Sequence, residues 1–81
     1  MKLGNYLHRV EKIDRLIQRR STGSPSELAV VIGISESMLY NYLQFMRQSG
    51  APIEYSKRRK TYFYRHKGAF SFGFKTKEQA S

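Results

Sequence analysis

SPSELAVVIGISESMLYNYLQFMRQSG, residues 24–50, reads as two short helices joined by a tight bend. Ser24 suits an N-cap, because its hydroxyl can accept from an unpaired amide of the first turn. Pro25 follows where a missing N–H costs nothing, and Glu27 completes a Ser-x-x-Glu capping box. The first helix carries Leu28, Ala29 and Ile32 and stops at Gly33, a residue that takes the left-handed conformation without strain. Ile34 plugs the bend. Ser35 caps the second helix, with Glu36 favourable beside its positive end. Gly50 and Pro52 close that helix.

Small Ala29 lets the helices approach, Gly33 turns the chain, and Ile34, Leu39 and Tyr42 join the pair. This is the spacing of a helix-turn-helix, whose second helix can enter a DNA major groove. An ordinary helical hairpin uses the same caps and apolar stripes, so the pattern is weighed with the rest of the chain.

Upstream, Tyr6, Leu7, Val10, Ile13, Leu16 and Ile17 step by three and four, which predicts an amphipathic helix over about 5–20. Its apolar face is expected to complete a three-helix core. Its other face carries Arg9, Lys12, Arg15, Arg19 and Arg20, tempered by Glu11 and Asp14, and reads as mainly solvated. Residues 1–4 are expected to fray. In the helix over about 36–49, Leu39, Tyr42, Leu43 and Met46 face inward and Phe45 lies at the boundary. The outward strip is Ser37, Tyr40, Asn41, Gln44 and Gln48, with Ser35 and Met38 near its start. Asn and Gln can bond adenine through two atoms, Ser can donate or accept, and Met or Tyr can press on a thymine methyl. Plain solvent exposure explains any one of these residues equally well.

Beyond Pro52, Ile53-Glu54-Tyr55-Ser56 alternates apolar and polar, and Thr61-Tyr62-Phe63-Tyr64-Arg65 has strand-forming residues. A hairpin over about 53–66 is predicted, with Lys57, Arg58, Arg59 and Lys60 at its tip. The tip lacks Gly and Asn, so a four-residue loop built on a type I turn is expected. Such a tip can hold phosphates or enter a narrow minor groove, and Arg65 and Lys67 extend the cationic line. A solvated charge run and a nuclear-localisation signal remain the alternatives. Phe70, Phe72 and Phe74 alternate and would share one face of a strand over about 68–75. That strand covers the domain's own core or makes a homodimer contact. Residues 75–81 are expected to be disordered.

The length predicts a single domain over 1–81. Fifteen Lys and Arg oppose six Asp and Glu, a formal charge of +9, which favours polyanionic partners. Without cysteine there is no disulfide and no thiolate site. No apolar run reaches membrane-spanning length, and the N-terminal residues lack a secretory core, so a cytoplasmic protein with no membrane partner is expected. His8 and His66 stand far apart, and no metal-ligand spacing, acid pair or phosphate-cradling loop occurs. No enzyme, catalytic residue, metal or cofactor is predicted.

Three features carry a family resemblance: Ser-x-Leu-Ala over 26–29, Gly-Ile-Ser over 33–35, and Gly-Ala-Pro-Ile-Glu-Tyr over 50–55. From about Ile13 to Tyr64 the chain resembles the winged helix-turn-helix modules at the N-termini of the biotin repressor and of DeoR-type regulators. The expected fold is therefore mainly α with a small β-hairpin (α+β), a three-helix winged helix-turn-helix. The resemblance implies sequence-specific binding of double-stranded DNA and transcriptional control. It implies that Ser35, Ser37, Met38, Tyr40, Asn41 and Gln44 face the groove. Backbone contacts are expected from Lys57, Arg58, Arg59, Lys60, Tyr62 and Arg65 of the wing. A protein-interaction adaptor of the same fold is one competing function. RNA binding, with Tyr62 and Tyr64 stacking on unpaired bases, is another.

Overall fold

A computed structural model describes residues 3–70 and 74–76. Three helices, α1 (Leu3–Gln18), α2 (Pro25–Ile32) and α3 (Glu36–Gln48), are followed by four short strands. Strands β1 (Ile53–Ser56) and β2 (Thr61–Tyr64) form one antiparallel hairpin, and β3 (Gly68–Phe70) and β4 (Phe74–Thr76) form another. The architecture is mixed α+β.

The helix boundaries follow from local chemistry. Ser24 Oγ accepts from the Glu27 amide at 3.2 Å, and Glu27 Oε1 accepts from the Ser24 amide at 2.8 Å, so the capping box is closed. Ser35 Oγ accepts from the Met38 amide at 3.1 Å and caps α3. All three helices end alike, with a left-handed residue followed by an amide that bonds back to the last turn. The pairs are Ser21 to Leu16, Ile34 to Ala29 and Ala51 to Met46, at 3.1, 3.0 and 3.0 Å. The left-handed positions are Gly33 and Gly50, as their sequence context predicts, and Arg20 with φ +54°. Helix α1 starts at Leu3, two residues before the expected start, and ends at Gln18.

Val10, Ile13 and Ile17 of α1, Leu28 and Ala29 of α2, and Leu39, Tyr42, Leu43 and Met46 of α3 bury together with Ile53, Tyr62, Tyr64 and Phe70. Each fully buried Leu or Ile contributes roughly 1.5–3 kcal/mol relative to exposure. An aromatic chain ties the ends of the domain together. Tyr6 packs on Tyr42 at 4.8 Å and Phe45 at 5.4 Å, and Phe45 meets Phe70 at 5.9 Å.

Two polar links depart from the sequence reading. Asp14, expected on the solvated face of α1, is only 7% exposed. It lies four residues after Val10 and three before Ile17, on the buried stripe itself. Its Oδ1 accepts from the Tyr64 hydroxyl at 2.7 Å and the Phe70 amide at 2.9 Å, while Oδ2 accepts from Gln18 Nε2 at 2.7 Å. Burial, and then donation to Asp14, push the Tyr64 phenol well above the ordinary tyrosine range. The second link joins the α1–α2 loop to β2. Thr22 Oγ1 accepts from the Tyr62 amide at 2.8 Å and lies 3.2 Å from Thr61 Oγ1.

The expected single strand over 68–75 is corrected to a hairpin, in which Phe70 pairs with Phe74. Phe70 is buried against the domain's own core and is not available as a homodimer surface. Lys75 and Thr76, expected to be disordered, are corrected to strand residues of β4 paired with Ala69 and Gly68; Phe72, residues 1–2 and residues 77–81 lie outside the described residues.

Candidate nucleic-acid interface

Helix α3 turns its two sides to different partners. Leu39, Tyr42, Leu43 and Met46 are buried, while Ser35, Ser37, Tyr40, Asn41, Gln44 and Gln48 are exposed. At 3.6 residues per turn these exposed positions form one continuous strip of uncharged side chains, with Glu36 and Arg47 exposed along one edge. Met38 is half-buried and packs on the core beside Tyr6, Asn41 and Tyr42, where a shallow cleft of about 140 Å³ opens. The strip is thus bordered on one flank by the aromatic start of α1.

The β1–β2 hairpin borders the other flank. Tyr55 and Tyr62 are cross-strand partners whose rings meet edge-on at 4.8 Å. Burial pushes the Tyr62 phenol above its ordinary range, and the neighbouring phenol of Tyr40 adds to the effect. Arg47, Tyr55 and Glu36 also act on this hydroxyl, so it faces the 36, 40 and 47 side of α3. Arg47 Nε donates to Ile53 O at 3.3 Å, fixing the end of α3 to the start of the hairpin.

At the tip, Lys57, Arg58, Arg59 and Lys60 are all exposed. The Arg59 amide donates to Ser56 Oγ at 3.1 Å, and Lys60 takes φ +52°, which turns the chain into β2. Glu27 is held below the usual carboxylate range, first by the Ser24 amide and hydroxyl, with Lys60 contributing. Lys60 therefore lies near enough to the start of α2 to act on Glu27.

Two wing residues sit differently from their expected roles. Tyr62, only 4% exposed, is corrected from a backbone contact to a core residue, because its position in β2 turns the ring toward α3. Tyr64 is buried as well, so neither tyrosine offers a stacking platform for an unpaired base. Arg65 is exposed, and its Nη1 pairs with Glu54 Oε2 at 3.1 Å. His8 and His66 are exposed, and among the described residues no group of His, Asp or Glu could hold a metal ion. No helix among the described residues is long and apolar enough to cross a membrane.

Burial of Asp14 and the Thr22–Thr61 pair were missed from the sequence. The position of Asp14 within the Val10–Ile17 stripe is the signal that could have revealed it. Comparison with known family models, characterised proteins and solved structures returned no match.

Proposed function

We propose that this chain is a winged helix-turn-helix module that binds double-stranded DNA by sequence and acts in transcriptional control. Helix α3 would lie in the major groove, with Ser35, Ser37, Met38, Tyr40, Asn41 and Gln44 toward base edges. Lys57, Arg58, Arg59 and Lys60 would grip phosphate or enter the minor groove, with Arg65 beside them.

One observation carries this reading: an exposed strip of neutral hydrogen-bonding side chains on α3 lies beside a hairpin that ends in four exposed cations. Base reading favours donors and acceptors whose geometry discriminates, while grip and long-range attraction need charge. Here the two tasks fall to two adjoining elements. The net charge of +9 adds the attraction expected of a polyanion binder.

A protein-interaction module is the competing reading, supported by Val30 and Val31, which are 78% and 50% exposed on α2. Selection from a pool of random duplexes separates the two. Enrichment of a defined site is expected, and a palindromic site would add that two copies bind together. Recovery of no preferred sequence at low salt, alongside partner binding that survives high salt, would favour the interaction module.

A further inference from the structure

The face of the hairpin away from α3 carries a second cationic feature. Alternate strand residues point to opposite faces, so Phe63 points away from the side on which Tyr62 meets α3. Over the Phe63 ring lies the Arg20 guanidinium, 5.6 Å from its centroid. Arg20 occupies the left-handed position that ends α1, a place where glycine is the unstrained choice. The arginine is thus held at a strained backbone position with its charged group stacked on an aromatic face.

Arg20 forms the wall shared by two open clefts. One, of about 420 Å³, also involves Gln18, Lys67 and Gly68. The other, of about 220 Å³, also involves Ser56, Arg59 and Thr61. Among the described residues no acid lines either cleft, and the Arg65–Glu54 ion pair uses none of these cations. Arg59, Arg20 and Lys67 therefore make a cationic line from the tip across the back of the hairpin. Stacking leaves the guanidinium N–H groups free to donate at the ring edge, and this arrangement suits phosphate oxygens.

We infer that the Arg20 clefts bind the phosphate backbone of a second duplex segment, so that one copy of the protein bridges two segments. The occupant is a polymer backbone because both clefts are open to solvent, share Arg20 as a wall, and place Arg59 on one side of it and Lys67 on the other. The opposite faces of Tyr62 and Phe63 turn the Arg20–Arg59 cleft away from α3, while the Lys67 cleft opens between Tyr64 and the end of α1. The inference rests on the proposed reading of α3 and the tip for the first duplex.

A bead-capture experiment with the full chain tests it. One short duplex is fixed to beads, protein is bound, and a fluorescent second duplex is offered. Wild-type protein is expected to capture the second duplex. Arg20→Gly relieves backbone strain and removes the exposed cation that both clefts share. It should bind the fixed duplex within about twofold of wild type and lose capture about tenfold. Lys12→Gln removes equal charge elsewhere and should retain capture. Normal first-duplex binding without wild-type capture overturns the inference and leaves the DNA reading intact. Equal capture by the Arg20 variant, or equal loss with the Lys12 variant, also overturns it. Saturation of the clefts by inorganic phosphate, abolishing capture while the fixed duplex stays bound, would reassign them to a free anion. No binding to the fixed duplex rejects the DNA reading and the inference together.

Discussion

The Tyr64 hydroxyl donates to Asp14 Oδ1 at 2.7 Å, joining the middle of α1 to the end of the first hairpin across fifty residues. The same oxygen accepts the Phe70 amide, so one carboxylate anchors both hairpins to the helical body. Asp14→Ala leaves two donors in a buried site without an acceptor and should cost about 3 kcal/mol or more. Asp14→Asn keeps an acceptor oxygen and should cost about 1 kcal/mol, the difference between a charged and a neutral partner. Denaturant titration of the two variants checks the order. Equal, small losses would mean that the hairpins are held by apolar packing alone.

Tyr64 also gives stability a pH dependence. Its phenol is held above the ordinary tyrosine value, first by burial and then by Asp14. The folded protein keeps a proton that the unfolded chain releases. The contribution is full below the ordinary tyrosine value of about 10 and falls progressively as the pH rises beyond it toward the raised folded-state value. Tyr64→Phe should cost about 1–2 kcal/mol at neutral pH and flatten the alkaline limb of the stability profile. Tyr62, shifted the same way, retains a smaller share of the slope. An unchanged alkaline limb in Tyr64→Phe would remove Tyr64 from this role.

Lys60 sits at φ +52°, where a glycine would be unstrained. Lys60→Gly should stabilise the fold by about 0.5–1 kcal/mol and at the same time weaken DNA binding by removing a tip cation. Thermal unfolding and duplex titration on one sample read both effects. A variant changed in the same direction by both measures would contradict the separation of fold and grip at the tip.

Helix α3 and the tip should fail in different ways. Asn41→Ala should cost about 1–3 kcal/mol on the preferred site and little on other duplexes, relaxing specificity. Arg58→Ala with Arg59→Ala should weaken all duplexes alike and reduce the salt slope by about two. Affinities measured on specific and scrambled duplexes distinguish these patterns.

Features set by neighbours in sequence were legible before any coordinates. The Ser24–Glu27 box, the Ser35 cap, the left-handed Gly33 and Gly50, and the inward set of α3 all depend on local residue types and helical period. Features set by distant partners were not. Asp14 counts as a surface acid until the hydroxyl of Tyr64 and the amide of Phe70 are brought to it. Tyr62 looked like an exposed wing aromatic because alternation does not tell which face of an isolated hairpin meets the body. Phe70 and Phe74 share a spacing that fits one strand, and Gly73 is the one local sign of a turn between them. For the candidate site, the exposure of the α3 strip and of the tip cations was readable from pattern. Their adjacency came only with Tyr62 turned toward the 36, 40 and 47 side of α3.

The division of labour between a neutral α3 strip and a cationic tip is tested most directly by the salt dependence of duplex binding. With about five cations meeting phosphates, log K should fall linearly against log salt with a slope of about −4 to −5. A flat dependence would contradict it.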